Sequence, residues 1–234
     1  MNTYAVICTR SREDISPVTH KLLQYYTSIG VQVLLLCKQS SIFSAYNLAV
    51  SKINPDPEDL IIFCHDDIEI HEAPEDFLKK LKEETDHTDV GFVGPAGTTV
   101  LEKDAVWWNR DNWRAGKHRG RVFHIHPDQK HPVDTLYGFP GNVVVLDGLF
   151  LAARARTIQR VGLEKPEYFE GDWDFYDIHY TTKAFRLGYT NKAIDIKIIH
   201  HSLGEIAGRD SWHKNREAFI SKTELPLQVK AEKS

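Results

Sequence analysis

LIIFCHDDIEIH, residues 60–71, runs through five apolar side chains and then turns acidic at Asp66, Asp67 and Glu69, with His65 at the junction. Leu60 to Cys64 has no polar interruption and reads as a strand covered on both faces. Two neighbouring carboxylates at the end of such a strand repel each other. Open water tolerates that repulsion, and so does a cation held between them. Acidic residues after a strand often make only a solvated turn or a helix cap. The sharper alternative is a divalent metal site, because Mg²⁺ and Mn²⁺ prefer carboxylate oxygens.

Around this strand the chain alternates. TYAVICT (3–9) reads as a strand and SPVTHKLLQYYTSIG (16–30) as a helix, with Ser16 as N-cap, Pro17 at the first helical position and Gly30 as the stop. VQVLLLCK (31–38) is a second strand and SSIFSAYNLAVSKIN (40–54) a short helix. APEDFLKKLKEET (73–85) is an amphipathic helix and VGFVGPAG (90–97) a fourth strand. Alternation of this kind, with strands buried on both faces, predicts an α/β fold with a mostly parallel central sheet flanked by helices. Ligands bind such sheets beyond the carboxyl ends of the strands. His65, Asp66 and Asp67 fall at such an end, which favours the metal reading over the solvated turn.

The middle of the chain changes character. Residues 98–132 carry Trp107, Trp108 and Trp113 among many charges and show no helical period, so a small antiparallel extension of short strands and loops is expected there. VVVLDGLFLAARA (143–155) is again a strand, broken at Asp147-Gly148. DFYDIHYTTKAFRLGY (174–189) is a helix ending at Gly188, and KAIDIKIIHHS (192–202) a strand. RDSWHKNREAFISKTE (209–224) is a final helix before a loosely ordered tail. The 234 residues suit one domain with a substantial core.

Composition removes several function classes. With 29 basic against 33 acidic residues, the net charge of −4 gives no electrostatic basis for nucleic-acid binding. Residues 1–14 lack the basic start and apolar run of a signal peptide, and no later run approaches a membrane span, so the expected home is the cytoplasm. Cys8, Cys37 and Cys64 each close an apolar strand-like run. An odd, widely spaced set argues against both a disulfide framework and a zinc site, and predicts small buried residues.

Three clusters remain that could carry chemistry: HDDIE (65–69), GDWDFYDIH (171–179) and IIHHS (198–202). Asp172 or Asp174 would serve as an ordinary helix N-cap. Asp177 lies inside the first turns beside aromatic residues, where partly apolar surroundings could give a carboxyl the raised pKa of a general base. His200 ends a strand on the face of Ile194, Ile196 and Ile198, and is either a core histidine or a metal ligand. His124, His126 and His131 contain an HxH spacing but lie in a polar loop without a third ligand. Dinucleotide, phosphate-loop and nucleophile-elbow motifs are all missing from the sequence.

Taken in order, these segments resemble glycosyltransferase family 2, over roughly residues 3–204. FSAYNLAV (43–50) is similar to the family's segment near the nucleotide and points to Asn47. IIFCHDDIEI resembles the strand that ends in Asp-x-Asp, with His65 in the first place and Asp67 in the second. VVVLDGLFLAARA resembles the Asp-Gly strand of the sugar and acceptor side, and YDIHYTTKAFRLGY the Glu-Asp helix. There Asp177 takes the Asp place and Tyr176 replaces the Glu. IKIIHHS resembles the closing strand whose His completes the site.

The resemblance implies a GT-A-type, Rossmann-like fold, with a nucleotide-binding half at 1–97, a sugar and acceptor half at 98–204, and a C-terminal helix and tail at 205–234. It implies an inverting, hexosyltransferase-like enzyme using a UDP- or GDP-sugar donor, a carbohydrate or lipid-linked acceptor and Mn²⁺ or Mg²⁺. Asp177 would be the base, and Asp67 and His200 the metal ligands. Thr9, Arg10, Asn47, His65 and Asp66 would face the donor nucleotide. Asp147, Gly148, Trp107 and Trp108 would face sugar and acceptor, although the tryptophans could equally pack the edge of the core.

Two rival classes stand beside it. A sugar nucleotidyltransferase would carry a Gly-rich basic loop after the first strand, where TRSREDISP has Arg10 and Arg12 but no glycine. A non-catalytic sugar- or nucleotide-binding module would accommodate the His65 and Tyr176 departures.

Overall fold

A computed structural model describes residues 1–10, 13, 15–126, 128–201 and 209–230. Arg12 and Ser202, named above, lie outside them. The first half follows the alternation: β1 (Thr3–Thr9), α1 (Pro17–Ser28), β2 (Gln32–Cys37), α2 (Ile42–Ile53) and β3 (Leu60–Cys64). α1 starts at Ser16, whose Oγ accepts the Thr19 N–H at 3.0 Å, with Pro17 next. α2 stops at Asn54, which adopts a left-handed φ of 45° that a short polar side chain tolerates.

β4 (Ile68–Ile70), α3 (Pro74–Glu84) and β5 (Val90–Gly94) come next. The irregular middle forms β6 (Ala96–Thr98), β7 (Val100–Leu101), α4 (Arg110–Arg114), β8 (His118–His124) and β9 (Val133–Gly138). The remainder is β10 (Gly141–Val143), β11 (Val145–Leu146), β12 (Phe150–Arg154), α5 (Ala155–Val161), α6 (Tyr176–Arg186), β13 (Thr190–Ala193), β14 (Ile198–His200), α7 (Asp210–Lys222) and β15 (Leu227–Gln228).

The main sheet has the order β10-β13-β5-β12-β3-β1-β2. The β1–β2, β1–β3 and β5–β13 pairs are parallel, but β12 runs antiparallel to both β3 and β5, and β10 antiparallel to β13. The sheet is therefore mixed, with β10 and β12 running against the other five strands. Its apolar runs announce burial on both faces, and burial does not fix strand direction. The reversal matters for the site. It sets Phe150 opposite Cys64 and brings the Asp147-Gly148 turn to the end of β3, where the His65 N–H bonds the Leu149 carbonyl at 3.0 Å.

A second sheet, β11-β6-β8-β14-β4 with β9 alongside β8, contains the expected antiparallel extension and is antiparallel except where β8 and β14 pair in parallel. It recruits β14, so the strand anticipated over 192–202 is two: β13 in the main sheet and β14 in the second. His200 pairs with Ile68 of β4 on one side and His124 of β8 on the other.

Three expectations are corrected at segment ends. α6 begins at Tyr176 behind Phe175, which has a left-handed φ of 71° and provides no side-chain cap. Asp172 instead pairs with Lys165 at 3.0 Å. Asp174 is buried against Ser211 Oγ (2.5 Å) and Arg209 (3.3 Å), which ties α7 to the base of α6. The tail is ordered through β15, which pairs with β7.

The core joins both faces of the main sheet. Tyr26, Phe63, Phe77, Phe92 and Phe150 are each no more than 1% exposed, and each such side chain contributes about 1.5–3 kcal/mol. Cys64 is buried while Cys8 and Cys37 are part-buried, and all three are free thiols. Burial pushes the Cys8 and Cys64 thiols up to about 12, which keeps them unreactive. No helix among the described residues is long and apolar enough to cross a membrane.

Candidate active site

β3 ends and β4 begins with only three residues between them, and that tight bend aims His65 and Asp67 at the end of β14. His65, Asp67 and His200 each offer one atom to a common point, with the three atoms within 4.8 Å of one another. His65 Nδ1 lies 3.7 Å from Asp67 Oδ1, and His200 Nε2 lies 3.4 Å from the same oxygen. These separations suit two ligands that share an ion about 2.0–2.2 Å from each. Asp67 Oδ1 is buried, and its nearest partners are the His200 and His65 ring nitrogens at 3.4 and 3.7 Å, neither in good hydrogen-bond geometry. A protonated His200 can hold that oxygen, and so can a cation shared by all three side chains.

The protonation preferences agree. Burial lowers the pKa of His65, against the pull of Asp67. Burial also works against charge on His200, but the adjacent Asp67 carboxylate outweighs it and raises that pKa. The histidines in turn hold Asp67 below the usual range, although its own burial acts the other way.

A second group sits on the Asp147-Gly148 turn. Asp177, in the first turn of α6, accepts the Gly148 N–H through Oδ2 at 3.1 Å. Its pKa is raised from 3.8 to about 7, first by burial and next by the charge of Asp147, while the Gly148 N–H works against both. Asp147 Oδ1 caps the turn by accepting the Leu149 N–H at 3.0 Å. Gly148 cannot be replaced without movement: a Cβ there would lie 2.5 Å from Tyr176 Oη and 2.9 Å from Asp177 Cβ. Its glycine identity thus reflects the close approach of α6.

The two groups are joined. Tyr176 Oη donates to the Gly148 carbonyl at 2.9 Å and lies 2.9 Å from His65 Nε2. Gly148 therefore accepts from Tyr176 through its carbonyl and donates to Asp177 through its N–H. His124 is a neighbour that its own loop context did not single out. Its ring lies 5.7 Å from that of His200 because β8 pairs with β14. Its strand register, His124 opposite His200, was not readable from either segment alone.

Other anticipated residues are placed differently. Asp66 keeps to the β1 side, where its carbonyl accepts Thr19 Oγ1 at 2.8 Å. Glu69 is taken up by other partners, Lys21 (3.3 Å), His71 (3.4 Å) and His201 (2.8 Å). Three acidic side chains therefore do not crowd one point; one carboxylate and two imidazoles do.

Thr9 and Arg10 sit at the carboxyl end of β1, beside that of β3. Asn47 donates to the Phe43 carbonyl of its own helix (3.1 Å) and lines an open cavity of about 390 Å³ with Ser41, Ser44, Glu164, Lys165 and Asp172. None of those residues belongs to the His65–Asp67–His200 group. Trp107 is 2% exposed and packed by Trp108, His118 and Tyr137, and Trp108 stacks on Trp212. Trp107 packs the core edge, and Trp108 is half-buried between Trp107 and Trp212.

A family model described as a glycosyltransferase-like family matches residues 8–223. The chain belongs to the glycosyltransferase-like family. Two solved structures share the fold of this glycosyltransferase-like chain. A197 from STIV superposes with a TM-score of 0.50 at 12% identity, over 86% of each chain. GalNAc-T7, determined with UDP, GalNAc and Mn²⁺, gives a TM-score of 0.57 at 10% identity, over 94% of this chain and 48% of that one. The chain thus spans about half the length of GalNAc-T7. At these identities the likeness is one of fold, a GT-A-type α/β architecture. No curated protein matches the sequence. Family membership supports a glycosyltransferase function.

Proposed function

We propose that this chain transfers a sugar, with inversion, from a UDP- or GDP-linked donor to a hydroxyl of a carbohydrate or lipid-linked acceptor. One observation carries the reading. A carboxyl raised to about 7, Asp177, accepts the N–H of Gly148, and the carbonyl of the same residue accepts the Tyr176 hydroxyl that meets His65 of a His–Asp–His group. A group of that pKa accepts a proton near neutrality, which removal of the acceptor hydroxyl's proton requires.

His65, Asp67 and His200 would hold a divalent cation, and the buried Asp67 oxygen fits that role. Two imidazoles with one carboxylate suit Mn²⁺ better than Mg²⁺, which prefers oxygen alone. When bound, the cation neutralises charge on the departing diphosphate. Thr9, Arg10 and Asp66 line the strand ends beside it and would face the nucleotide, with residues 1–97 forming the donor half. Asp147, fixed by its own turn, would face the sugar from the 98–204 half. GalNAc-T7, with its bound UDP and Mn²⁺, supplies a fold-level parallel for that arrangement.

The test is a panel of nucleotide sugars, assayed for hydrolysis and for transfer to glycan acceptors with and without Mn²⁺. We expect cation-dependent turnover of one donor, absent from Asp67→Ala. Stoichiometric nucleotide-sugar binding without turnover of any donor would instead support a binding module and end the catalytic reading.

A further inference from the structure

We propose that Tyr176 is a positioning residue. It fixes His65 in a single tautomer, with the proton on Nε2 and the Nδ1 lone pair directed at Asp67 and His200. This rests on the proposed metal reading only for what Nδ1 then faces; the tautomer follows from the hydrogen bonds alone.

The phenol has one proton and two possible acceptors. Tyr176 Oη lies 2.9 Å from the Gly148 carbonyl and 2.9 Å from His65 Nε2. The carbonyl can only accept, so the hydroxyl proton goes there and Oη is left to accept from His65 Nε2–H. The opposite assignment, with Tyr176 donating to Nε2, strips that carbonyl of its donor in a buried place, which is unfavourable.

With the proton on Nε2, a neutral His65 presents Nδ1 as an acceptor 3.7 Å from Asp67 Oδ1, which is itself an acceptor. Two facing lone pairs define a place for a cation. The ring of Tyr176 is held for this by the edge of Tyr46, at 5.9 Å and 85°, and by the space Gly148 leaves for it. Residues that orient a ligand through its second nitrogen commonly set metal affinity.

Nitrogen NMR of histidine-labelled protein at pH 8, without metal, reads the tautomer directly, and His65→Ala assigns the signal. We expect wild-type His65 to be protonated on Nε2. Tyr176→Phe should shift it toward Nδ1–H or a mixture while leaving the thermal midpoint within a few degrees, since the ring is retained. Titration with Mn²⁺ alone should then show about a 10–100-fold weaker affinity in Tyr176→Phe.

An Nδ1–H signal in the wild type overturns the proposal without any variant. So does an unchanged tautomer in Tyr176→Phe, or a shifted tautomer with undiminished Mn²⁺ affinity. If the wild type takes up no Mn²⁺ yet its Nε2–H tautomer depends on Tyr176, the positioning role stands and the metal reading alone fails.

Discussion

Replacing Asp177 by Asn separates the cost of the base from its use. The Asp177 carboxyl rises from its ordinary value of 3.8 to about 7 in the folded chain. The folded state thus prefers the neutral acid, and ionisation weakens it. The penalty is absent below about pH 4, grows between pH 4 and 7, and is constant above that. A difference of about three pH units corresponds to about 4 kcal/mol. The side chain keeps some contact with water, which screens part of this, so about 2–4 kcal/mol is expected.

Asn has nearly the same shape, can still accept the Gly148 N–H, and does not ionise. Urea unfolding of both proteins at half-unit steps should therefore show a widening gap. Asp177→Asn should match the wild type near pH 4 and exceed it by about 2–4 kcal/mol at pH 8. Other titrating groups act equally in both proteins and cancel. In the same variant the transfer rate should fall about 10²–10⁴-fold, and the wild-type rise in rate through pH 7 should disappear. A stability gap that stays flat from pH 4 to 8 would refute the burial argument, and full activity would refute the base.

Asp67→Ala should abolish Mn²⁺ binding in calorimetry while the protein stays folded, and the metal-free variant should be less stable than wild type at neutral pH with the difference fading in acid, because, against its burial, the histidines hold the Asp67 carboxyl below its ordinary range; equal stability of the two proteins at pH 7 would contradict this. Gly148→Ala should cost about 1–3 kcal/mol in urea unfolding and depress transfer as well, since its Cβ would displace Tyr176 and Asp177 together. Trp107→Ala should cost about 3–5 kcal/mol by thermal unfolding. Saturating acceptor should leave the fluorescence contributed by Trp107 unchanged.

The parts of this fold that local chemistry specifies were readable from the sequence. Ser16 and Pro17 start α1, the unbroken run Leu60–Cys64 forms a buried strand, and Asp147-Gly148 breaks the run that follows. What was not readable is set by pairing between distant segments. An all-apolar strand such as β12 looks the same in either direction, and only its neighbours in the folded sheet make it antiparallel. The expected caps Asp172 and Asp174 were taken by Lys165 and by Arg209 and Ser211, partners 7 to 37 residues away. Trp107 and Trp108 could be read either as sugar-facing or as core-edge residues, because nothing local showed that Tyr137 and Trp212 would pack on them.

The site follows the same division. Asp67, His200 and Asp177 could be named individually because each sits where an element starts or ends. Their spatial association could not, since it runs through the two sides of one residue, Gly148. β12 must run antiparallel to β3 for Gly148 to reach the end of that strand, and only glycine there lets α6 approach closely enough for Tyr176 and Asp177 to bond its two sides. A shift of that turn moves the base by its N–H bond and His65 by the Tyr176 hydroxyl at once. The separation between the proton acceptor and the His–Asp–His group is thereby fixed by backbone geometry rather than by either side chain. That is the physical requirement for a reaction in which a proton leaves on one side of a sugar carbon as a diphosphate leaves on the other.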